Sequence, residues 1–215
     1  HELLAVALAH RHGEVDLPKL KHALRESSEL VLTQKRFSTK KILETEMFLI
    51  ETVNAERDAV APLNSDYQPA KWLGDDQRQA ILHVLKTNDR ITSLRGFAGT
   101  GKTTALRELV NACDATRFEP LFCAPTAAAT DVLRKEGFKA ITLQSLLLSK
   151  SSLSNRNLIV LDETGAVGID DMKRLLIWQK IAGLFCLATP VSTVRLRAVT
   201  RCEFWGNIPI SNRAS

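Results

Sequence analysis

The feature that most constrains this chain is a glycine-rich segment that ends in a lysine and a threonine. Residues 96–103 read Gly-Phe-Ala-Gly-Thr-Gly-Lys-Thr, which fits the pattern G-x-x-x-x-G-K-[ST] of the phosphate-binding P-loop. Ile91–Arg95 before it predicts a short strand, and residues 103–113 after it predict a helix with one apolar face. A strand, a glycine loop and a helix in this order direct backbone N–H groups and the positive end of the helix towards one point, which suits a polyphosphate. A glycine-rich turn before an ordinary helix is the alternative, and the flanking pattern argues against it.

The glycines of this segment allow the backbone to wrap closely around a ligand, because they have no Cβ atom that would collide with it. The pattern therefore predicts a nucleotide-binding set of nine consecutive residues. They are Gly96, Phe97, Ala98, Gly99, Thr100, Gly101, Lys102, Thr103 and Thr104.

A pair of acids, Asp162 and Glu163, follows the continuous apolar run of residues 158–161. Such a run is typical of a parallel strand that is covered on both faces, and ligands bind at the carboxyl ends of such strands. At that position Asp162 can hold the Mg²⁺ that bridges the β- and γ-phosphates, with Thr103 supplying a hydroxyl ligand. Glu163 is placed to orient or deprotonate an attacking water, as a catalytic acid or base does. A solvated strand end is the alternative for each acid.

The order of the predicted elements divides the chain into four parts. Residues 1–63 read as a small, mainly helical, winged-helix-like domain, which is either a DNA-binding unit or a packing module; the packing reading is favoured because no helix there is rich in Arg and Asn. Residues 64–72 are turn-rich and predict a linker. Strands alternate with helices over residues 73–176, which predicts an α/β fold with a parallel sheet and helices on both faces. Residues 177–215 form a tail of different composition.

Composition sets broad limits on function. The net charge is +5, but the segment from Ile177 onward holds five basic residues and one acid, so the rest of the chain has no strong basic footprint for nucleic acid. No apolar run is long enough to span a membrane. The four cysteines show no metal-binding spacing, which favours a reduced, cytoplasmic setting. The first residue is His1, so we expect the chain to be a piece of a longer protein.

Residues 73–176 resemble the first motor domain of a superfamily-one DNA helicase of the RecD-like branch, most closely the helicase part of the large conjugative relaxases of the MobF class. The resemblance is carried by Gln77, by the P-loop, by Ala-Pro-Thr-Ala-Ala-Ala at residues 124–129, and by the acids after the apolar run. Thr-Leu-Gln-Ser-Leu-Leu at residues 142–147 also resembles a family segment that touches single-stranded DNA. The resemblance implies a P-loop NTPase fold of the RecA type.

The resemblance also implies roles for single residues. ATP and Mg²⁺ are the implied cofactors, and single-stranded DNA is the implied partner of a full-length parent. Gln77 would read the adenine edge and Lys102 would contact the β- and γ-phosphates in a catalytic role. The DNA contacts would come from Pro125, Thr126, Thr142 and Gln144, although packing alone could explain the alanine run. Oligomeric state stays open.

A GTPase and a non-catalytic module are the alternatives to a helicase motor. A GTPase would need an Asn/Thr-Lys-x-Asp motif to read guanine, and the sequence has none. A non-catalytic remnant, or a DNA-binding module centred on residues 1–63, is the second alternative.

The chain departs from the family pattern after Leu176. The family continues with a helix, a strand and a Gly-Asp-x-x-Gln element whose Gln senses the γ-phosphate, whereas residues 187–192 here read Leu-Ala-Thr-Pro-Val-Ser. When the codons of this segment are read one nucleotide out of register, the genetic code allows an apolar strand across residues 183–186 and then Gly-Asp-Thr-Gly-Gln. Our hypothesis is that residues 177–215 are a frameshifted, poorly ordered tail, natural or from a sequencing error. We also expect the chain to lack the second motor domain and to be unable to unwind DNA by itself.

Overall fold

The computed structural model describes residues 16–33, 36–95, 101–149, 153–177 and 183–188. The chain divides into two compact units, residues 1–47 and 48–215. The division falls within a helix that spans Lys40–Ala55, earlier in the chain than the boundary expected near residue 63.

The first unit contains helix α1 (Leu17–Glu26), strands β1 (Leu30–Thr33) and β2 (Arg36–Thr39), and the start of helix α2 (Lys40–Ala55). β1 and β2 form an antiparallel hairpin in which Leu30 pairs with Thr39. Thr39 then caps α2, since its Oγ1 accepts a hydrogen bond of 3.2 Å from the N–H of Ile42. The sequence predicted a small, mainly helical domain here, and residues 1–15, 34 and 35 of it lie outside the described residues.

The second unit is built on a parallel sheet. Its helices are the rest of α2, α3 (Asp75–Lys86), α4 (Lys102–Asp114), α5 (Ala127–Lys135), α6 (Leu143–Leu148) and α7 (Ile169–Leu176). Its strands are β3 (Ile91–Arg95), β4 (Glu119–Ala124), β5 (Ala140–Thr142), β6 (Asn157–Leu161) and β7 (Gly183–Ala188). The strand order is β3-β7-β6-β4-β5 and every neighbouring pair is parallel, which confirms the predicted α/β class. Within the described ranges, no helix has the length and apolar character needed to cross a membrane.

Helices cover both faces of the sheet, as predicted. Along β6, Leu158 and Val160 join one apolar cluster with residues of α3, α4 and α5. The alternate residues Ile159 and Leu161 join a second cluster with residues of α2, α6 and α7. Successive side chains of a strand point to opposite faces, so a strand covered on both sides must be apolar along its covered length, and β6 is apolar from Leu158 to Leu161.

The segment expected to be a linker, residues 64–72, is hydrogen-bonded to the helices of the second unit. Asn64 donates its backbone N–H to the carbonyl of Leu85 at 3.1 Å and its side-chain Nδ2 to the carbonyl of Ala112 at 3.0 Å. Further along, the hydroxyl of Tyr67 donates to Glu108 on α4 at 2.9 Å. The turn-forming residues of this segment therefore fix it to α3 and α4.

Strand β7 comes from the segment expected to be a poorly ordered tail. It lies inside the sheet, where Leu184 pairs with Ile91 of β3 on one side and with Ile159 of β6 on the other. The six residues Gly-Leu-Phe-Cys-Leu-Ala contain no charged side chain, and such a run suits a strand covered on both faces. The α/β domain therefore continues past the expected boundary at residue 176. The rest of the expected tail, apart from Ile177, lies outside the described residues.

Candidate nucleotide-binding site

The last glycine of the P-loop adopts a backbone conformation that favours glycine. Gly101 has φ +73° in the left-handed region and immediately precedes α4. A Cβ atom built at this position would meet Nε2 of Gln77, the end of a side chain that can move aside, so it is the backbone angle that calls for glycine. Residues 96–100 lie outside the described ranges, and their contacts with phosphate stay a prediction.

Gln77 ties the start of α3 to the end of the phosphate loop. Its Oε1 accepts a hydrogen bond of 3.1 Å from the N–H of Gly74, and its Nε2 donates to the carbonyl of Gly101 at 3.2 Å. The structure thus brings together two of the predicted site residues, Gln77 and Gly101, that lie 24 positions apart in the chain. The contact with adenine stays a prediction.

Lys102, Thr103 and Thr104 form the first turn of α4, and all three are half-buried. The first hydrogen bond of this helix runs from the N–H of Ala105 to the carbonyl of Gly101 at 3.1 Å, so the N–H groups of the preceding residues have no acceptor within the helix. In the described part of the chain, no side chain caps this turn. A helix start of this kind binds anions, because its N–H groups and its dipole both attract negative charge.

Asp162 and Glu163 leave the end of β6 in different conformations. The N–H of Asp162 continues the sheet by donating to the carbonyl of Cys123 on β4 at 2.9 Å. Asp162 Oδ1 then accepts from the N–H of Glu163 at 2.8 Å. Glu163 has φ +52°, the left-handed region, which is costly for a residue with a side chain and clusters at functional sites. Its side chain is exposed and that of Asp162 is half-buried.

The end of β3, which precedes the phosphate loop in the chain, and the end of β6, which precedes the two acids, lie at the same edge of the sheet. Arg95, where β3 ends, pairs with Ala188 of β7, and Leu161, where β6 ends, pairs with Cys186 of the same strand. One strand therefore separates the two ends, and neighbouring strands lie about 4.8 Å apart, so the ends are roughly 10 Å from each other across the sheet.

The donors at this edge suit a magnesium–nucleotide complex. Mg²⁺ prefers oxygen ligands and is bound by one or two protein groups together with phosphates and water. The hydroxyl of Thr103 and the carboxylate of Asp162 are donors of that kind. In the residues that the structure describes, no group of three or more His, Cys, Asp or Glu side chains could hold a metal alone.

Two of the four predicted DNA-contacting residues cap helices. Thr126 Oγ1 accepts from the N–H of Ala129 at the start of α5, and Thr142 Oγ1 accepts from the N–H of Ser145 at the start of α6, both at 3.1 Å. These caps follow β4 and β5, so they lie at the same carboxyl edge as the acids. The structure explains both threonines without DNA, and the DNA contacts stay a prediction.

The other two predicted DNA residues have different surroundings. Pro125 is half-buried between β4 and the start of α5. Gln144 is exposed, and its Nε2 donates to Asp171 Oδ2 on α7 at 2.8 Å. This hydrogen bond connects α6 with the helix that follows the two acids.

Sequence reasoning missed a buried acid on α4. Glu108 is 4% exposed and accepts from the hydroxyl of Tyr67 at 2.9 Å and from the N–H of Ala70 at 2.7 Å. Burial, followed by the hydrogen bond to Glu108 and its charge, raises the pKa of Tyr67 to about 12. The i, i+3, i+4 spacing of Ala105, Glu108 and Leu109 places this acid on the apolar face of the helix, and that signal was available in the sequence.

The thiol of Cys113, near the end of α4, is buried. Burial, with a smaller contribution from the charge of Asp114, raises its pKa to about 12. A thiol that stays protonated is a poor nucleophile and metal ligand, so Cys113 is a packing residue of the helix that begins at the phosphate loop.

Comparison with known proteins places most of the second unit in one family. Residues 72–183 match a family model described as AAA domain. The chain is 32% identical over 146 residues to the multifunctional conjugation protein TraI of Escherichia coli (strain K12), a match that covers 61% of this chain and 8% of TraI. It is 28% identical over 148 residues to the conjugal transfer protein TraA of Rhizobium radiobacter, covering 64% of this chain and 13% of TraA. The chain thus spans a small part of the length of these relatives.

Solved structures were compared as well. The flagellar accessory protein FlaH of Methanocaldococcus jannaschii aligns with a TM-score of 0.34 and 13% sequence identity, over 51% of this chain and 68% of FlaH.

Proposed function

We propose, from the premise that this chain belongs to the AAA domain family, that it is the ATP-binding and ATP-hydrolysing motor domain of a DNA helicase of the conjugative relaxase-helicase type. One observation carries the proposal. The uncapped start of α4, with Lys102 and Thr103, and the acid pair after β6 lie at the same edge of a parallel sheet with one strand between them.

Each residue has a definite task in this function. Bound ATP–Mg²⁺ supplies the phosphoryl group that passes to water. Lys102 and the N–H groups at the start of α4 bind the phosphates, and Gln77 holds the carbonyl of Gly101 so that the loop keeps its shape. Thr103 and Asp162 would hold the metal. Glu163, exposed at the end of β6, would orient the attacking water and accept its proton.

The test is ATP binding and single-stranded-DNA-stimulated ATP hydrolysis by the purified chain and by the variant Lys102→Ala. We expect the variant to lose hydrolysis by about 100-fold or more, because a preorganised charge near the transferred phosphate is a large catalytic contribution. Lys135→Ala, which changes an exposed lysine at the end of α5, is the matched control and should hydrolyse ATP at the parent rate. Hydrolysis that Lys102→Ala leaves unchanged would favour a non-catalytic or DNA-binding module instead.

We further propose that the chain binds ATP–Mg²⁺ weakly and does not unwind DNA by itself, because residues 177–215 are translated out of frame. The support is that β7 ends between β3 and β6, while the residues after it, Thr-Pro-Val-Ser at 189–192, include no acid or amide that could sense a γ-phosphate. Two measurements test this. Robust strand separation by the purified chain would contradict it, and so would codons that cannot spell Gly-Asp-x-x-Gln in the neighbouring frame.

A further inference from the structure

Trp72 is a large aromatic side chain that the fold leaves exposed. Its relative exposure is 71%, whereas the next residue, Leu73, is 3% exposed and belongs to the core. Tryptophan is highly buried on average in proteins, and in the described part of the chain this indole is the largest of the exposed apolar side chains. An exposed indole offers an aromatic face on which a flat ligand can stack.

The backbone around Trp72 is fixed on both sides. The N–H of Ala70 donates to the buried carboxylate of Glu108 at 2.7 Å, and the N–H of Leu73 donates to the carbonyl of Ala70 at 3.1 Å. The carbonyl of Lys71 accepts from the guanidinium of Arg78 on α3 at 3.1 Å. The backbone that carries the indole is thus held by hydrogen bonds, so little backbone entropy is lost when the indole binds a ligand.

Two hydrogen bonds connect this turn to Gly101, the last glycine of the phosphate loop. Gly74 lies two residues after Trp72, and its N–H binds the side chain of Gln77, which in turn binds the carbonyl of Gly101. Consecutive Cα atoms are 3.8 Å apart, so the Cα of Trp72 lies within about 8 Å of that of Gly74. A nucleotide whose phosphates lie at the start of α4 must extend its base away from them, and Trp72 is close in the chain to Gly74 and Gln77, which connect to that helix start.

The two residues on this side offer different kinds of contact to a base. Both ends of the Gln77 amide already contact backbone groups, whereas the indole offers a large apolar face. Stacking on an aromatic side chain tolerates every base, because each base has a π-face. The larger purines cover more of an indole than pyrimidines do, so stacking alone favours ATP and GTP over CTP and UTP.

We propose that Trp72 is the base-stacking residue of this site, and that Glu108 is the positioning residue that holds its turn. The inference rests on the proposed function, in that it takes a nucleoside triphosphate as the ligand of the phosphate loop. It adds a base-binding group and a preference for purines.

Intrinsic fluorescence gives a direct test. The chain has three tryptophans, at positions 72, 178 and 205, so the double variant Trp178→Phe/Trp205→Phe leaves Trp72 as the only indole. In this background we expect MgATP to quench the fluorescence, and magnesium tripolyphosphate to bind without quenching it. Calorimetry on the full chain should show that Trp72→Ala weakens MgATP binding by about tenfold, a typical loss for removing one stacking partner.

Matched variants distinguish a loss of base stacking from a general loss of folding or of phosphate binding. Trp72→Phe keeps an aromatic face and should bind MgATP within about threefold of the parent, whereas tripolyphosphate affinity should stay unchanged in both Trp72 variants. Leu148→Ala removes another exposed apolar side chain, on α6, and should leave both affinities unchanged. For Glu108→Gln we expect weaker MgATP binding with unchanged tripolyphosphate binding, since the turn and not the phosphate loop is loosened.

The outcomes distinguish this inference from the proposed function. If the parent binds MgATP and Trp72→Ala binds it equally well, or loses MgATP and tripolyphosphate to the same degree, the stacking role is refuted and the nucleotide site stands. If the parent binds neither ligand, both proposals fail together. Pyrimidine triphosphates that bind as tightly as ATP would refute the purine preference.

Discussion

Strands β6 and β7 are neighbours in the sheet, and both are apolar parallel strands that run in the same direction. β6 is followed by Asp162 and Glu163, the second of which has an unusual backbone conformation. β7 ends between β6 and the strand that leads into the phosphate loop, yet the residues that follow it are Thr189 and Pro190. Only one of the two strands is therefore followed by the acids that the proposed ATP chemistry needs.

The comparison shows that the position of a strand in the sheet and the chemistry at the end of that strand depend on different residues. A run of apolar residues is enough to join the middle of a sheet that is covered on both faces, because burial does not depend on which apolar residues are used. Chemistry at the strand end depends on the identity of one or two residues. If residues 177–215 are read out of frame, as we propose, β7 has kept the first property and lost the second.

The largest effect is expected from a proline in β7. Phe185 pairs with Thr92 of β3 and Val160 of β6, so Phe185→Pro removes a backbone donor in the middle of the sheet and leaves a buried acceptor unpaired. We expect the free energy of unfolding to fall by roughly 3 kcal/mol in urea denaturation. Phe185→Leu, which keeps the donor, should cost much less. Equal stability of the proline variant and the parent would show that β7 does not belong to the sheet.

The next effect concerns chemistry at the end of β6. Asp162→Asn keeps the shape of the side chain and removes its charge, so we expect magnesium-dependent ATP hydrolysis to fall by about 100-fold, as loss of a charged transition-state contact does. The fold should be unaffected. Asp131→Asn, on the exposed side of α5, is the control for loss of one negative charge. If the Asp162→Asn variant hydrolyses ATP at the parent rate, the acid after β6 has no role in the chemistry that distinguishes β6 from β7.

The smallest effect tests how tightly β7 enters the sheet. A Cβ atom at Gly183 would lie 3.3 Å from the carbonyl oxygen of Arg90 and 3.3 Å from Cδ1 of Leu158. These neighbours would have to shift by a few tenths of an ångström, so Gly183→Ala should lower the free energy of unfolding by about 1 kcal/mol. At Gly168 a Cβ atom meets nothing within 4 Å, and Gly168→Ser should cost nothing. A stabilising Gly183→Ala would mean that the strand start is loosely packed.

Local sequence patterns predicted much of the second unit. β3 was predicted at its observed bounds, and β6 and α4 within one residue at each end, because apolar runs and the glycine loop are local signals. The parallel sheet and the helices on both faces followed from the alternation of elements. The hairpin strand Arg36–Thr39 was missed, since four residues with one large apolar side chain give almost no periodicity.

Long-range contacts could not be predicted in the same way. The contact between Tyr67 and Glu108 joins residues 41 positions apart, and no local pattern states which turn meets which helix. The same holds for the place of β7 in the strand order, which depends on pairing with two strands far back in the chain. The left-handed conformation of Glu163 is likewise a result of how β6 leaves the sheet, and its residue type gives no hint of it.

The position of β7 also has a consequence for the order in which the protein is made. β3 and β6 are synthesised well before residues 183–188, and until those residues leave the ribosome the two strands each have an open edge on the side that β7 will occupy. Open strand edges pair with other chains, and sheets closed by distant segments form slowly. A nascent chain at this stage is therefore exposed to aggregation, and its sheet is complete only once β7 has paired with both strands.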